Sequence, residues 1–137
     1  MHTLRDKSFD FSVEVVLFSQ AMINSHEYIL SKQLVRSGTA IGALLREAQY
    51  AESKADFIHK YSISLKEANE TEYWLDVLFK TYPGWKDKIK VLKALCKELI
   101  AMLVAAIKTL KEKLRLKRTI NFALIFSFLL VTFYLIL

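Results

Sequence analysis

Apolar residues recur at spacings of three and four along most of this chain, and the pattern breaks at few points. From about Phe9 to Ile23, Val13, Val16, Gln20 and Ile23 fall near one face, with Val15, Phe18 and Met22 beside it; this predicts a first helix. Asn24, with Glu27 three residues later, has the form of a capping box and predicts the start of a second helix running to about Ala51. Its stripe is Leu34, Ile41, Leu45 and Ala48, interleaved with Gly38 and Gly42. Ser53 and Asp56 form a second box and start a third helix, which carries Phe57, Tyr61, Leu65, Ala68, Leu75 and Leu78. Tyr82-Pro83-Gly84 is the one strong turn signal. A fourth helix follows, with Ile89, Leu92, Cys96, Leu99, Leu103, Ala106, Leu110 and Leu114 in near-heptad order. Short connections place neighbouring helices antiparallel, so the expected fold is an all-α, up-down-up-down four-helix bundle.

Three stretches depart from a simple amphipathic pattern. Gly38 and Gly42 lie one turn apart on helix 2, where each glycine costs about 1 kcal/mol against Ala. Close helix packing inside the bundle is the expected compensation. Leu99 to Ile107 contains no polar side chain. A surface helix of a monomer keeps one wet face, so this run predicts burial on a second side, against another subunit. The candidate interface residues are Leu99, Ile100, Met102, Leu103, Val104 and Ile107. Finally, Ile120 to Leu137 is uncharged and mostly apolar. Three readings of it stay open: a membrane anchor, an extension of helix 4 buried in an oligomer, and an extension of the reading frame with no evolved role.

Charge sharpens the picture. The chain has 137 residues and a net charge of +6, yet residues 1–85 balance at −2, residues 86–118 at +8, and residues 119–137 carry no charge. The basic segment suggests an anionic partner, either nucleic acid or a lipid surface. Lys86, Lys90, Lys93 and Lys97 fall one turn apart, and Lys108, Lys111, Arg115 and Arg118 resume nearly the same face. These eight are the candidate nucleic-acid-binding residues. Contacts of this kind grip phosphate without reading sequence and weaken with salt.

No catalytic or metal-binding motif stands against this. His26 and His59 have no partner at metal-ligand spacing, and no HExxH, CxxC, P-loop or GxGxxG pattern occurs. Glu67, Glu70 and Asp76 lack the Glu-x-x-His pairs a di-metal bundle needs. The single Cys96 excludes an internal disulfide and falls on the apolar stripe of helix 4. Neither an enzyme nor a cofactor is expected.

One long stretch is more specific than its periodicity requires. It reads Gln33-Leu34-Val35-Arg36-Ser37-Gly38-Thr39-Ala40-Ile41-Gly42-Ala43, then Arg46-Glu47-Ala48, Ser53, Asp56-Phe57-Ile58 and Lys60. It closes on Leu65-Lys66-Glu67-Ala68, Glu70-Thr71 and Tyr73-Trp74-Leu75. This resembles the small four-helix-bundle proteins encoded in intervening sequences of bacterial ribosomal RNA genes, a family that includes accessory proteins of diversity-generating retroelements. The resemblance covers most of residues 8–115. It implies homopentameric barrels and, for retroelement members, binding of RNA or DNA and of a reverse transcriptase. Ala40 stands where the family usually has Ser, and Leu44 where it usually has Asn, so polar contacts on that face of helix 2 are in doubt. Arg36, Arg46, Glu47, Glu67 and Glu70 remain as candidates for buried or inter-subunit ion pairs.

Together these readings predict a bundle at residues 1–118 and an apolar tail at 119–137. The expected function is a cytoplasmic, non-enzymatic homo-oligomer that binds polyanions through helix 4. The alternative is a scaffold on the cytoplasmic face of an anionic membrane, anchored by residues 120–137.

Overall fold

The structure, a computed structural model, describes residues 3–136. Four helices follow one another: α1 (Leu4–Asn24), α2 (Ile29–Glu47), α3 (Lys54–Thr81) and α4 (Lys86–Ile136). Short 3₁₀ turns at Ala48–Tyr50 and Pro83–Trp85 complete the connections, and no strand occurs among the described residues. This is an all-α arrangement consistent with a four-helix bundle. The chain forms two compact units, Met1–Ile107 and Lys108–Leu137. The division falls at Ile107, the last buried residue of α4 among the described residues, whereas the sequence pattern places it after Arg118.

The helix ends follow local hydrogen bonding. α1 starts earlier than expected because Thr3 caps it: its hydroxyl accepts from the Asp6 N–H at 3.2 Å, and the Asp6 carboxylate accepts from the Thr3 N–H at 3.0 Å. The first turn is polar, so apolar spacing does not reveal it. Asn24 does not cap α2, because α1 runs through it. The chain instead reverses at His26, whose φ of 64° lies in the left-handed region. Glu27 then does the capping, accepting from the N–H groups of Ile29 at 3.1 Å and Leu30 at 2.9 Å. Ser53 caps α3 as its sequence signal indicates, its hydroxyl accepting from the Asp56 N–H at 3.0 Å.

The core of the first unit lies between all four helices. It takes Phe11, Val15, Phe18 and Met22 from α1, and Leu34, Ile41 and Leu45 from α2. From α3 come Ala68, Leu75 and Leu78, and from α4 Ile89, Leu92, Cys96, Leu99 and Leu103. The inward face of α1 therefore differs from the expected one: Val13, Val16 and Ile23 are exposed. α1 is apolar on both sides, with Phe9 and Leu17 also exposed, so its spacing alone does not choose the buried face. On α3, Phe57 and Tyr61 stack on each other and are only half-buried; the buried line runs through Ile58, Ser64, Ala68 and Thr71.

Two features make α2 a tightly held helix. A Cβ at Gly38 would lie 2.9 Å from Val15 Cγ1, and one at Gly42 would lie 3.3 Å from Ser12 Oγ. The glycines thus permit the close packing that their cost requires. On the α3 side, buried hydroxyls take the place of methyls. Thr71 Oγ1 donates to Ser37 Oγ at 3.0 Å, and Ser64 Oγ donates to the Ile41 carbonyl at 3.1 Å. Between the other helices, Lys7 pairs with Glu98 at 2.7 Å and Lys88 with Glu14 at 2.5 Å.

The Glu27 carboxylate also accepts from the Tyr82 hydroxyl, joining the α1–α2 connection to the α3–α4 connection. That bond, and next the Leu30 N–H, hold the Glu27 carboxyl below its ordinary 4.5; the same bond holds the Tyr82 phenol above its ordinary 10.0. Glu27 therefore contributes stability above pH 4.5 that is lost as pH falls through its lower folded value. Tyr82 contributes stability below pH 10.0 that is lost as pH rises through its higher folded value. Thermal unfolding across acid pH is expected to show a shallower loss for Tyr82→Phe than for wild type. Identical acid limbs would show that the bond carries no stability.

Candidate nucleic-acid interface

The eight basic residues expected to form one interface divide into two groups with different surroundings. In the first unit, the α3 carboxylates lie opposite α4. Lys93 pairs with Asp76, and Lys97 lies 3.9 Å from Glu72. Lys90 lies 3.7 Å from Asp87, one turn back on its own helix. Lys86 and Lys93 also sit over the Phe79 ring, at 5.5 and 5.3 Å from its centroid. Partly exposed pairs of this kind add little stability, but each places a negative charge where a phosphate would have to bind. Glu72 and Asp76 lie one helical turn apart on α3, and that spacing matched to Lys97 and Lys93 is the signal that reveals the pairing.

Residues 108–118 differ. They carry six basic residues and one acidic residue, a net charge of +5. Lys108, Lys111, Arg115 and Arg118 are exposed, helical and without an ion pair among the described residues. At 100° per residue these four fall within about 80° of arc on one side of the helix. Lys113 and Lys117 extend the positive potential round the other side. Such a surface can hold several phosphates electrostatically.

The other candidates occupy varied positions. Arg36 pairs with Glu70, which also accepts from Trp74 Nε1 at 3.2 Å. Glu47 pairs with Lys60 at 2.8 Å. Arg46 instead lies over the Phe9 ring, 5.1 Å from its centroid. Glu67 Oε2 is buried without a hydrogen-bond partner among the described residues. Of the candidate interface residues, Leu99, Leu103 and Ile107 are buried within the chain's own first unit. Ile100 and Met102 are half-buried, and Val104 is exposed, so a partner would reach only these three. Cys96 is fully buried, with its thiol donating to the Ala68 carbonyl at 3.3 Å; burial pushes it up to about 12. Among the described residues no cluster of His, Cys, Asp and Glu is placed to hold a metal ion.

In the second unit, Ile120, Phe122, Leu124 to Phe126, Phe128 to Val131 and Tyr134 are all exposed on the helix. Among the described residues no helix is long and apolar enough to cross a membrane. The stretch on which the membrane-anchored reading rests is described only in part: Leu137 lies outside the described residues.

The model of the 23S rRNA-intervening sequence protein family matches residues 2–105. A crystal structure of a protein with unknown function from the S23 ribosomal protein family of Bacteroides thetaiotaomicron VPI-5482 superposes with a TM-score of 0.75. The two sequences are 43% identical over 77% of this chain and 99% of that one. Comparison with curated proteins returns no match.

Proposed function

This chain belongs to the 23S rRNA-intervening sequence protein family, and from that premise we propose that it is a non-enzymatic helical-bundle module that binds RNA phosphates through residues 108–118. The observation that carries the reading is the net charge of +5 on this helical stretch, whose basic residues are exposed and without an ion pair among the described residues. It lies beyond the residues that the family model matches, so the bundle proceeds from the family while the choice of 108–118 rests on this chain's own charge. RNA is the polyanion to test first, because a surface of this charge grips phosphate without reading sequence and a flexible single strand can follow it. A cytoplasmic location follows from this reading.

The bundle supplies the platform. The pairings Lys7–Glu98, Glu14–Lys88 and Ser37–Thr71 support the antiparallel, up-down-up-down order. The exposed apolar residues Val13, Leu17 and Val104 support assembly into a homo-oligomer, proposed as a pentamer. Repetition around a ring would multiply weak phosphate contacts.

The test is fluorescence anisotropy of a labelled single-stranded RNA with the full chain across a salt series, on samples sized by light scattering. Affinity is expected to fall steeply with salt. Replacing Lys108, Lys111, Arg115 and Arg118 with Gln is expected to flatten the log–log slope by about 0.7 for each phosphate no longer neutralised. Replacing Lys90, Lys93 and Lys97 with Gln is expected to do less, since carboxylates already face them. Equal effects of the two sets, or salt-independent binding, would overturn the assignment; a monomer mass would overturn the assembly.

A further inference from the structure

A cleft of about 750 Å³ opens where the first turns of α1 meet the end of α2 and the turn at Ala48–Tyr50. That is within the range of about 300–1,000 Å³ usual for small-ligand sites. Its lining combines groups that plain bundle packing does not require. Arg5 and Arg46 contribute guanidiniums, Asp10 a carboxylate, Gln49 an amide, and Tyr50 an aromatic ring that is 86% exposed. Arg46 lies over the Phe9 ring, which gives its guanidinium a fixed base. Arg5, Asp10 and Arg46 form no ion pair among the described residues. Asp6 also lines the cleft, but its carboxylate is occupied by the Thr3 N–H and hydroxyl.

The two guanidiniums are matched by two carboxylates, so the cleft is not a second simple polyanion site. Its pattern suits a ligand that carries a phosphate, a flat ring and hydrogen-bond donors together. We propose that the cleft takes one amino-bearing base of a single-stranded RNA, stacked on Tyr50, with its phosphate between Arg5 and Arg46. The exocyclic amino group donates to Asp10 or to the Gln49 carbonyl oxygen. The inference rests on the RNA-binding reading above and adds to it a preference for single strands, because a base inside a duplex cannot reach the ring.

The test uses the full chain with oligoadenylate, a duplex RNA and adenosine monophosphate as probes. Tyr50→Ala is expected to weaken oligoadenylate binding about tenfold or more. It should leave duplex binding and the salt slope unchanged, because the ring is uncharged. Tyr50→Phe is expected to retain wild-type affinity. Tyr50 is so exposed that its loss should not move the unfolding temperature, which is checked on the same samples. If Tyr50→Ala binds oligoadenylate as wild type does, the cleft assignment falls, while the phosphate interface at 108–118 stands on its own charge variants. If wild type binds no RNA, the phosphate interface falls, and titration with adenosine monophosphate decides the cleft. Binding lost in Tyr50→Ala then sustains the cleft, and no binding overturns it.

Discussion

Gly38→Val is expected to destabilise the first unit by about 3 kcal/mol, near the upper range for overpacking a core. A Cβ at this position would lie 2.9 Å from Val15 Cγ1, 3.1 Å from Cγ2 and 3.4 Å from Cβ. Val15 is fully buried, and its branched side chain has one strongly preferred rotamer in a helix, so it cannot swing aside. No glycine here has a positive φ, so space and not backbone conformation is what the substitution removes. For Gly38→Ala, a helix-propensity gain of about 1 kcal/mol opposes the clash, and the net loss is smaller. Chemical denaturation measures both. The double variant Val15→Ala with Gly38→Val should recover part of the loss, giving a coupling energy between the two positions. Wild-type stability in Gly38→Val would refute the close packing of α1 on α2.

Leu103→Ala is expected to cost about 3–5 kcal/mol, whereas Leu116→Ala should change stability by less than about 0.5 kcal/mol. Both residues lie on α4 and both change a leucine to alanine, so side-chain chemistry is held constant. Leu103 is fully buried in the core of the first unit; Leu116 is 61% exposed. Urea unfolding of the two variants reads the difference directly. A large loss at Leu116 would show that the second unit buries this residue in solution, and the exposure described for 108–118 would be wrong.

The parts of the fold that were legible in the sequence are those where one signal dominates. Ser53 and Asp56 mark a helix start that the structure reproduces, and the stripe of α4 from Ile89 to Leu103 is the buried one. Gly38 and Gly42 announce a close approach because nothing else offsets their cost in a helix. The inward face of α1 was illegible because Phe9, Val13 and Leu17 compete with Phe11, Val15 and Phe18 for the core, and only packing decides. Asn24 and Glu27 form a plausible capping box, yet α1 continues through Asn24 and leaves the capping to Glu27. The candidate interface was half legible. The run of positive charge is visible in the chain, but its neutralisation at Lys93 and Lys97 depends on which helix lies opposite. The cleft was not legible: Phe9, Arg46 and Tyr50 meet only once α1 and α2 have packed.

Cys96 has a consequence for how this protein meets its surroundings. Its thiol is enclosed by the core, bonded to the Ala68 carbonyl and held far from ionisation at neutral pH. Only the thiolate reacts with oxidants, disulfides and alkylating agents. The reactivity of this cysteine is therefore governed by opening of the bundle and not by the redox poise around it. In a folded molecule Cys96 passes through oxidising conditions unmarked, and a modified Cys96 records that the core once came apart.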